Sequence, residues 1–105
     1  MAFRRGYRAE AELVEALKGS GFFAVRIPVS GGRGVPCDVL AAKEGDRRGY
    51  QVKETKDDRI YLSDGELKEL YAFCRAFGLR PLIAVKWKGR RRASWTVVEV
   101  EASSS

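Results

Sequence analysis

Residues 7 to 18, YRAEAELVEALK, place Ala9, Leu13, Ala16 and Leu17 on one side with Val14 beside them, before GSG interrupts the run. Apolar positions at that spacing among good helix formers predict a helix whose stripe faces a core. FFAVRIPV (22–29) is aromatic and β-branched and predicts a strand, followed by the glycine-rich loop SGGRGVP. CDVLAAKE (37–44) and YQVKETK (50–56) predict two more strands, joined through EGDRRG as an antiparallel hairpin.

A second helix is predicted in LSDGELKELYAFCRAFG (62–78). Ser63 and Glu66 form an S-x-x-E capping box, Leu67, Leu70, Tyr71, Cys74 and Phe77 form the stripe, and Gly78 ends it. Phe77 therefore reads as core and Phe73 as the exposed ring of a partner surface. RPLIAVKWK (80–88) and ASWTVVEV (93–100) predict two final strands around GRRR. The order αβββαββ predicts a single α/β domain over residues 1–101, with a mixed sheet of about five strands flanked by helices, and a disordered tail at 102–105.

Composition narrows the function. Lys and Arg number 20 against 14 Asp and Glu, a net charge of +6 that favours a polyanionic partner: nucleic acid first, an acidic membrane surface second. No apolar run reaches the length of a membrane span and the N-terminus has no signal-like apolar stretch, so the expectation is an intracellular, cytoplasmic protein. The two cysteines, Cys37 and Cys74, lack metal-ligand spacing and read as reduced thiols. Histidine is absent, which excludes Ser-His-Asp and Cys-His catalysis and imidazole-ligated zinc. An enzyme with this sequence must work with carboxylates, lysine, hydroxyls or a hard cation held by oxygen.

Strand alternation puts Gln51 and Lys53 on one surface, with Tyr50 and Val52 on the other. Taken alone, that pair is a solvated edge. Asp38, however, opens the apolar strand CDVLAA just after Pro36, across the hairpin from Gln51 and Lys53, where an unpaired acid is costly once partly buried. A turn aspartate bonded to nearby backbone is the simpler account of Asp38 alone. Glu10 borders the stripe of the first helix, where an ordinary surface glutamate and a ligand fit equally well. Two carboxylates, an amide oxygen and a lysine suit a hard divalent cation and metal-assisted phosphodiester hydrolysis, with Lys53 orienting water or offsetting developing charge.

The series D-x(12)-Q-x-K in VPCDVLAAK…YQVKETK, after a basic helix bearing a glutamate, resembles the PD-(D/E)xK nuclease signature with Gln in place of the usual acid. Together with RRGYRAEAELVEAL, GFFAVRIPVSG and IYLSDGELKELYAFCRAFGLRPLIAVKW, it resembles the archaeal Holliday-junction resolvases over roughly residues 4 to 88. That resemblance implies a restriction-endonuclease-like fold and a homodimer that cuts four-way DNA junctions with Mg²⁺ or Mn²⁺. It places Glu10, Asp38, Gln51 and Lys53 on metal and catalytic positions, the first three as ligands, and Ser30 on a loop serine near the scissile phosphate. Arg26 and Lys86 fall on DNA-contacting positions, and Phe73 and Phe77 on the dimer helix. By charge, Arg4, Arg5, Arg8, Arg33, Arg47, Arg48, Lys56 and the cations after Trp87 would add phosphate contacts. Ser30 beside two glycines also reads as a turn residue, and the basic run after Trp87 as a solvated hairpin tip.

Two departures bear on this. Gln51 removes one negative charge from the cation site, and Ala11 stands where these resolvases often carry arginine. The alternatives are a Q-x-K restriction or repair nuclease acting on other DNA, and a catalytically degenerate protein that binds branched DNA.

Overall fold

A computed structural model describes residues 7–28, 34–89 and 92–101. The expectations for Arg4, Arg5, Ser30, Arg33 and the 102–105 tail lie outside these residues. Among those described, the order is α1 (Tyr7–Gly19), β1 (Phe23–Arg26), β2 (Val39–Lys43), β3 (Asp46–Thr55), α2 (Asp64–Phe77), β4 (Arg80–Lys88) and β5 (Ala93–Glu99). The strands lie in the sheet in chain order, antiparallel except for the parallel pair β3 and β4 that α2 connects. The expected αβββαββ order and mixed five-stranded sheet are both present.

Strand alternation divides the interior into two layers. Val39, Ala41, Tyr50, Val52, Leu82 and Ala84 face α1, where Ala9, Leu13, Val14 and Leu17 cover them. Val14 takes the buried place expected of Ala16, which is exposed. Ile83 and Val85 face the other way, against Leu70 and Cys74 of α2 and Cys37. Burying such side chains is the main source of stability here, at about 25 cal/mol per Å² of apolar surface.

Several boundaries move. β1 is shorter than the predicted strand at 22–29, and β3 is longer: the turn before it is confined to Glu44 and Gly45, with Glu44 at φ 56°, and Asp46, Arg47 and Arg48 are already in the strand. Cross-strand pairing of Lys43 with Asp46 closes a two-residue hairpin, and such loops favour left-handed backbone. Arg47 and Arg48, expected along a DNA groove, are engaged at this end of the sheet. Arg47 donates to Gly78 O at 3.2 Å, while Arg48 pairs with Asp46, donates to the Tyr50 hydroxyl and stacks on Phe22. Hydrogen bonds from Arg48 first, and then Arg80, hold the Asp46 carboxyl below the usual carboxylate range.

Gly49 lies where α2 approaches the sheet. A Cβ there would sit 2.6 Å from Cys74 Sγ and 3.2 Å from Cys37 Sγ. Cys37 Sγ donates to Val39 O at 3.5 Å and Cys74 Sγ to Gly49 O at 4.0 Å, and the neighbouring Cys74 thiol, with burial, holds the Cys37 thiol protonated well above the ordinary range. Because both sulfurs are short and buried, a methyl group cannot be accommodated by rotating a flexible side chain. Gly49→Ala is expected to lower the unfolding free energy by roughly 1–3 kcal/mol, the usual cost of overpacking. Urea denaturation checks this, with Gly45→Ala as a control because open space surrounds that position; equal stability of the two variants would contradict the close approach.

Candidate active site

Asp38 stands one residue before β2, at the point where the hairpin ladder ends. Its amide donates to Tyr50 O at 2.8 Å, and its carboxylate Oδ2 accepts from the Val52 amide at 2.7 Å. The side chain thus continues the ladder for one more step, which explains how an acid is tolerated at an apolar strand opening. It also fixes the carboxylate beside β3 at the level of Gln51 and Lys53.

Gln51 and Lys53 share the α2 face of β3, opposite Tyr50 and Val52, as the alternation predicts. The Gln51 Oε1 atom is buried and has no hydrogen-bond partner among the described residues. A buried acceptor left in that state costs roughly 1–3 kcal/mol, so the position is suited to an electropositive ligand. Lys53 Nζ donates to Glu66 Oε2 at 3.1 Å. Both side chains are partly exposed, 25% for Lys53 and 38% for Glu66, so the pair is a positioning contact with access to solvent.

Glu66 was legible in the sequence only as half of a capping box. The Ser63 half forms, since Ser63 Oγ accepts from the Glu66 amide at 3.1 Å. The Glu66 side chain turns instead to Lys53, and its Oε1 is the second buried acceptor without a partner among the described residues. Topology gives the reason. A helix joining two parallel strands starts at the C-terminal end of the first, so the opening turn of α2 overlies the end of β3 that carries Gln51 and Lys53. Capping boxes are common enough that their glutamate carries no site signal; its place in the β3–α2–β4 crossover was the available clue.

Glu10 is held on the other layer. Its Oε1 accepts from Arg26 Nε at 3.1 Å, and Arg26 also lies over the Tyr7 ring. Arg26 ends β1 in register with Val39, so this pair and Asp38 occupy the same end of the sheet, while Gln51 and Lys53 point from its opposite face. Among the described residues, no three of His, Cys, Asp and Glu gather as a metal-holding group. The oxygens beside Lys53 are a mixed set of carboxylate and amide.

The expected DNA contacts divide. Arg8 and Lys56 are exposed. Lys86 is not a free surface cation: only 9% exposed on the α1 face of β4, it places Nζ 2.7 Å from Glu12. The expectation for the two phenylalanines of α2 is reversed. Phe77 is 65% exposed, while Phe73 is partly buried against the α2-side core, with the ring centroids 4.7 Å apart. The helix ends at Gly78, so Phe77 overhangs the neighbouring strands instead of sinking between them. Phe77 joins Phe23, Val25, Leu40, Phe73 and Leu79 around an apolar concavity of about 390 Å³ beside the edge strand β1. No helix among the described residues is long and apolar enough to cross a membrane.

Residues 1–104 match the family model for archaeal Holliday junction resolvases (Hjc). A crossover junction endodeoxyribonuclease Hje of Saccharolobus islandicus is 37% identical over 86 residues, 79% of this chain and 64% of that protein. The crossover junction endodeoxyribonuclease Hjc of Archaeoglobus fulgidus is 35% identical over 83 residues, 78% of this chain and 61% of its own length. The chain therefore spans somewhat less than two thirds of these relatives. The crystal structure of the Archaeoglobus fulgidus Hjc, described as a Holliday junction resolvase from an archaeal hyperthermophile, superposes with a TM-score of 0.74 at 33% identity, covering 89% of this chain and 74% of that one.

Proposed function

The chain belongs to the archaeal Holliday junction resolvase family, and from that premise we propose that it is a structure-selective endodeoxyribonuclease that nicks four-way DNA junctions as a Mg²⁺- or Mn²⁺-dependent homodimer. The observation that carries the catalytic part is the end of the β2–β3 hairpin, where a ladder-anchored carboxylate, an unpartnered amide oxygen and a lysine meet.

Asp38 and Gln51 would hold the cation, and Glu10, tied to Arg26, borders the site from the other layer. Hard divalent cations prefer such oxygens, and the buried Gln51 Oε1 fits one. Bound there, the cation would supply Lewis acidity and an activated water for attack on a phosphodiester. The Lys53 ammonium, steadied by Glu66, offsets charge developing on the phosphate oxygens. Asp38 is held rigidly because its oxygen is bonded to backbone. Arg8, Lys56 and the basic surface contribute phosphate contacts that do not depend on sequence, so the preference is for shape.

The apolar surface around Phe77 and Phe23 fits a second copy of the chain. An isologous contact gives two related sites, as cutting two opposed strands of a junction requires. The test is a nicking assay on an end-labelled four-way junction beside a duplex of the same sequence, with and without Mg²⁺. Paired, cation-dependent nicks in the junction alone are expected. Tight junction binding without cutting would overturn the nuclease reading and favour a branched-DNA-binding protein; equal cutting of the duplex would overturn the selectivity.

A further inference from the structure

The catalytic reading leaves one electrostatic deficit. A glutamine at the second position of Q-x-K contributes an oxygen dipole but no charge, and affinity for a hard cation follows ligand charge. The structure contains a carboxylate in a position to make up the difference. The described residues have two buried side-chain acceptors without partners, Gln51 Oε1 and Glu66 Oε1. They flank a single residue: Gln51 precedes Lys53 by one step on the same face of β3, and the other oxygen of Glu66 is bonded to Lys53 Nζ at 3.1 Å.

Both acceptors belong to neighbours of Lys53, and neither oxygen has a proton to donate when Glu66 is ionised. Lys53 engages only one Glu66 oxygen. The arrangement calls for something positive between β3 and the first turn of α2. Asp38, at the same end of the hairpin, has one oxygen on the Val52 amide and belongs to the same set.

We propose that Glu66 is a ligand of the divalent cation, supplying from α2 the negative charge that Gln51 cannot supply from β3. The ligand set is then Asp38, Gln51 and Glu66, two carboxylates and an amide. Glu66 thereby has two roles, one oxygen positioning Lys53 and the other facing the ion. This assignment rests on the metal-dependent reading above and goes beyond it by naming the group that makes a Q-x-K site able to hold its ion.

The test is calorimetric titration of Mn²⁺ into chelator-stripped full-length protein, which needs no turnover. Glu66→Gln is expected to weaken binding by about tenfold or more, and Gln51→Glu/Glu66→Gln to return it to within about threefold of the unaltered chain, because ligand charge is restored from the other side. The same loss on Glu66→Gln is expected in a Lys53→Ala background. Melting curves and junction gel shifts show that each variant is folded. Unchanged Mn²⁺ affinity in Glu66→Gln, with binding lost in Asp38→Asn, would overturn the assignment and leave the metal site standing. A loss seen only when Lys53 is present would also overturn it, since Glu66 would then act only as the lysine's counter-ion. No Mn²⁺ uptake by the unaltered protein would overturn both this assignment and the reading on which it rests.

Discussion

Lys53→Ala is expected to reduce junction nicking by roughly 10²–10³-fold, the loss typical when one preorganised electrostatic group is removed from a reaction centre. Junction binding, measured by gel shift at the same ionic strength, should stay within about threefold, because most of the affinity comes from other phosphate contacts. The separation follows from where the side chain lies. Lys53 is held by Glu66 on the face of β3 shared with Gln51, and is only partly exposed, so on the proposed reading it would address one phosphate and not the length of a duplex arm. Unchanged nicking would remove Lys53 from the reaction, and an equal loss of binding and cutting would reassign it to DNA contact.

Phe77→Asp is expected to convert the proposed dimer to a monomer in sedimentation and to replace paired nicks with rare single ones. The ring is 65% exposed at the rim of an apolar concavity, where a carboxylate would have to be desolvated to re-form the contact. Its exposure also means that the isolated chain loses little packing, so the monomer should melt close to the unaltered protein when compared at low concentration. A variant that remains dimeric would place the interface elsewhere. One that fails to fold would show that Phe77 belongs to the core, contrary to its position.

What could be read from the sequence was mostly what periodicity controls. The faces of β3 follow from alternation, so the pairing of Gln51 with Lys53 and the burial of Tyr50 and Val52 were both legible. So was the end of α2: Gly78, in the left-handed region at φ 73°, bonds back to Cys74 O and Arg75 O as a terminating glycine does. Asp38 was legible as an acid needing a partner; that the partner is the Val52 amide depends on hairpin register, which the overlong predicted turn had obscured. Phe73 and Phe77 exchanged roles because a helical stripe drawn to the last turn assumes that the sheet continues beneath it. Lys86 was placed on a DNA-contacting position by resemblance alone, and the side chain that pairs with it, Glu12, comes from an element distant in sequence. Glu66 was missed for a related reason: local spacing assigned it to the helix cap, and only the crossover between parallel strands brings it to Lys53.

The bond from the Val52 amide makes Asp38 a constituent of the hairpin as well as of the site. Shortening it to alanine would leave a main-chain donor unsatisfied, so a dead protein could simply have a frayed backbone. An asparagine retains an oxygen for that donor and deletes only the ionic charge. For capturing an uncut junction under the proposed reading, the choice between those two variants decides whether the trap preserves the shape of the chain it was built to portray.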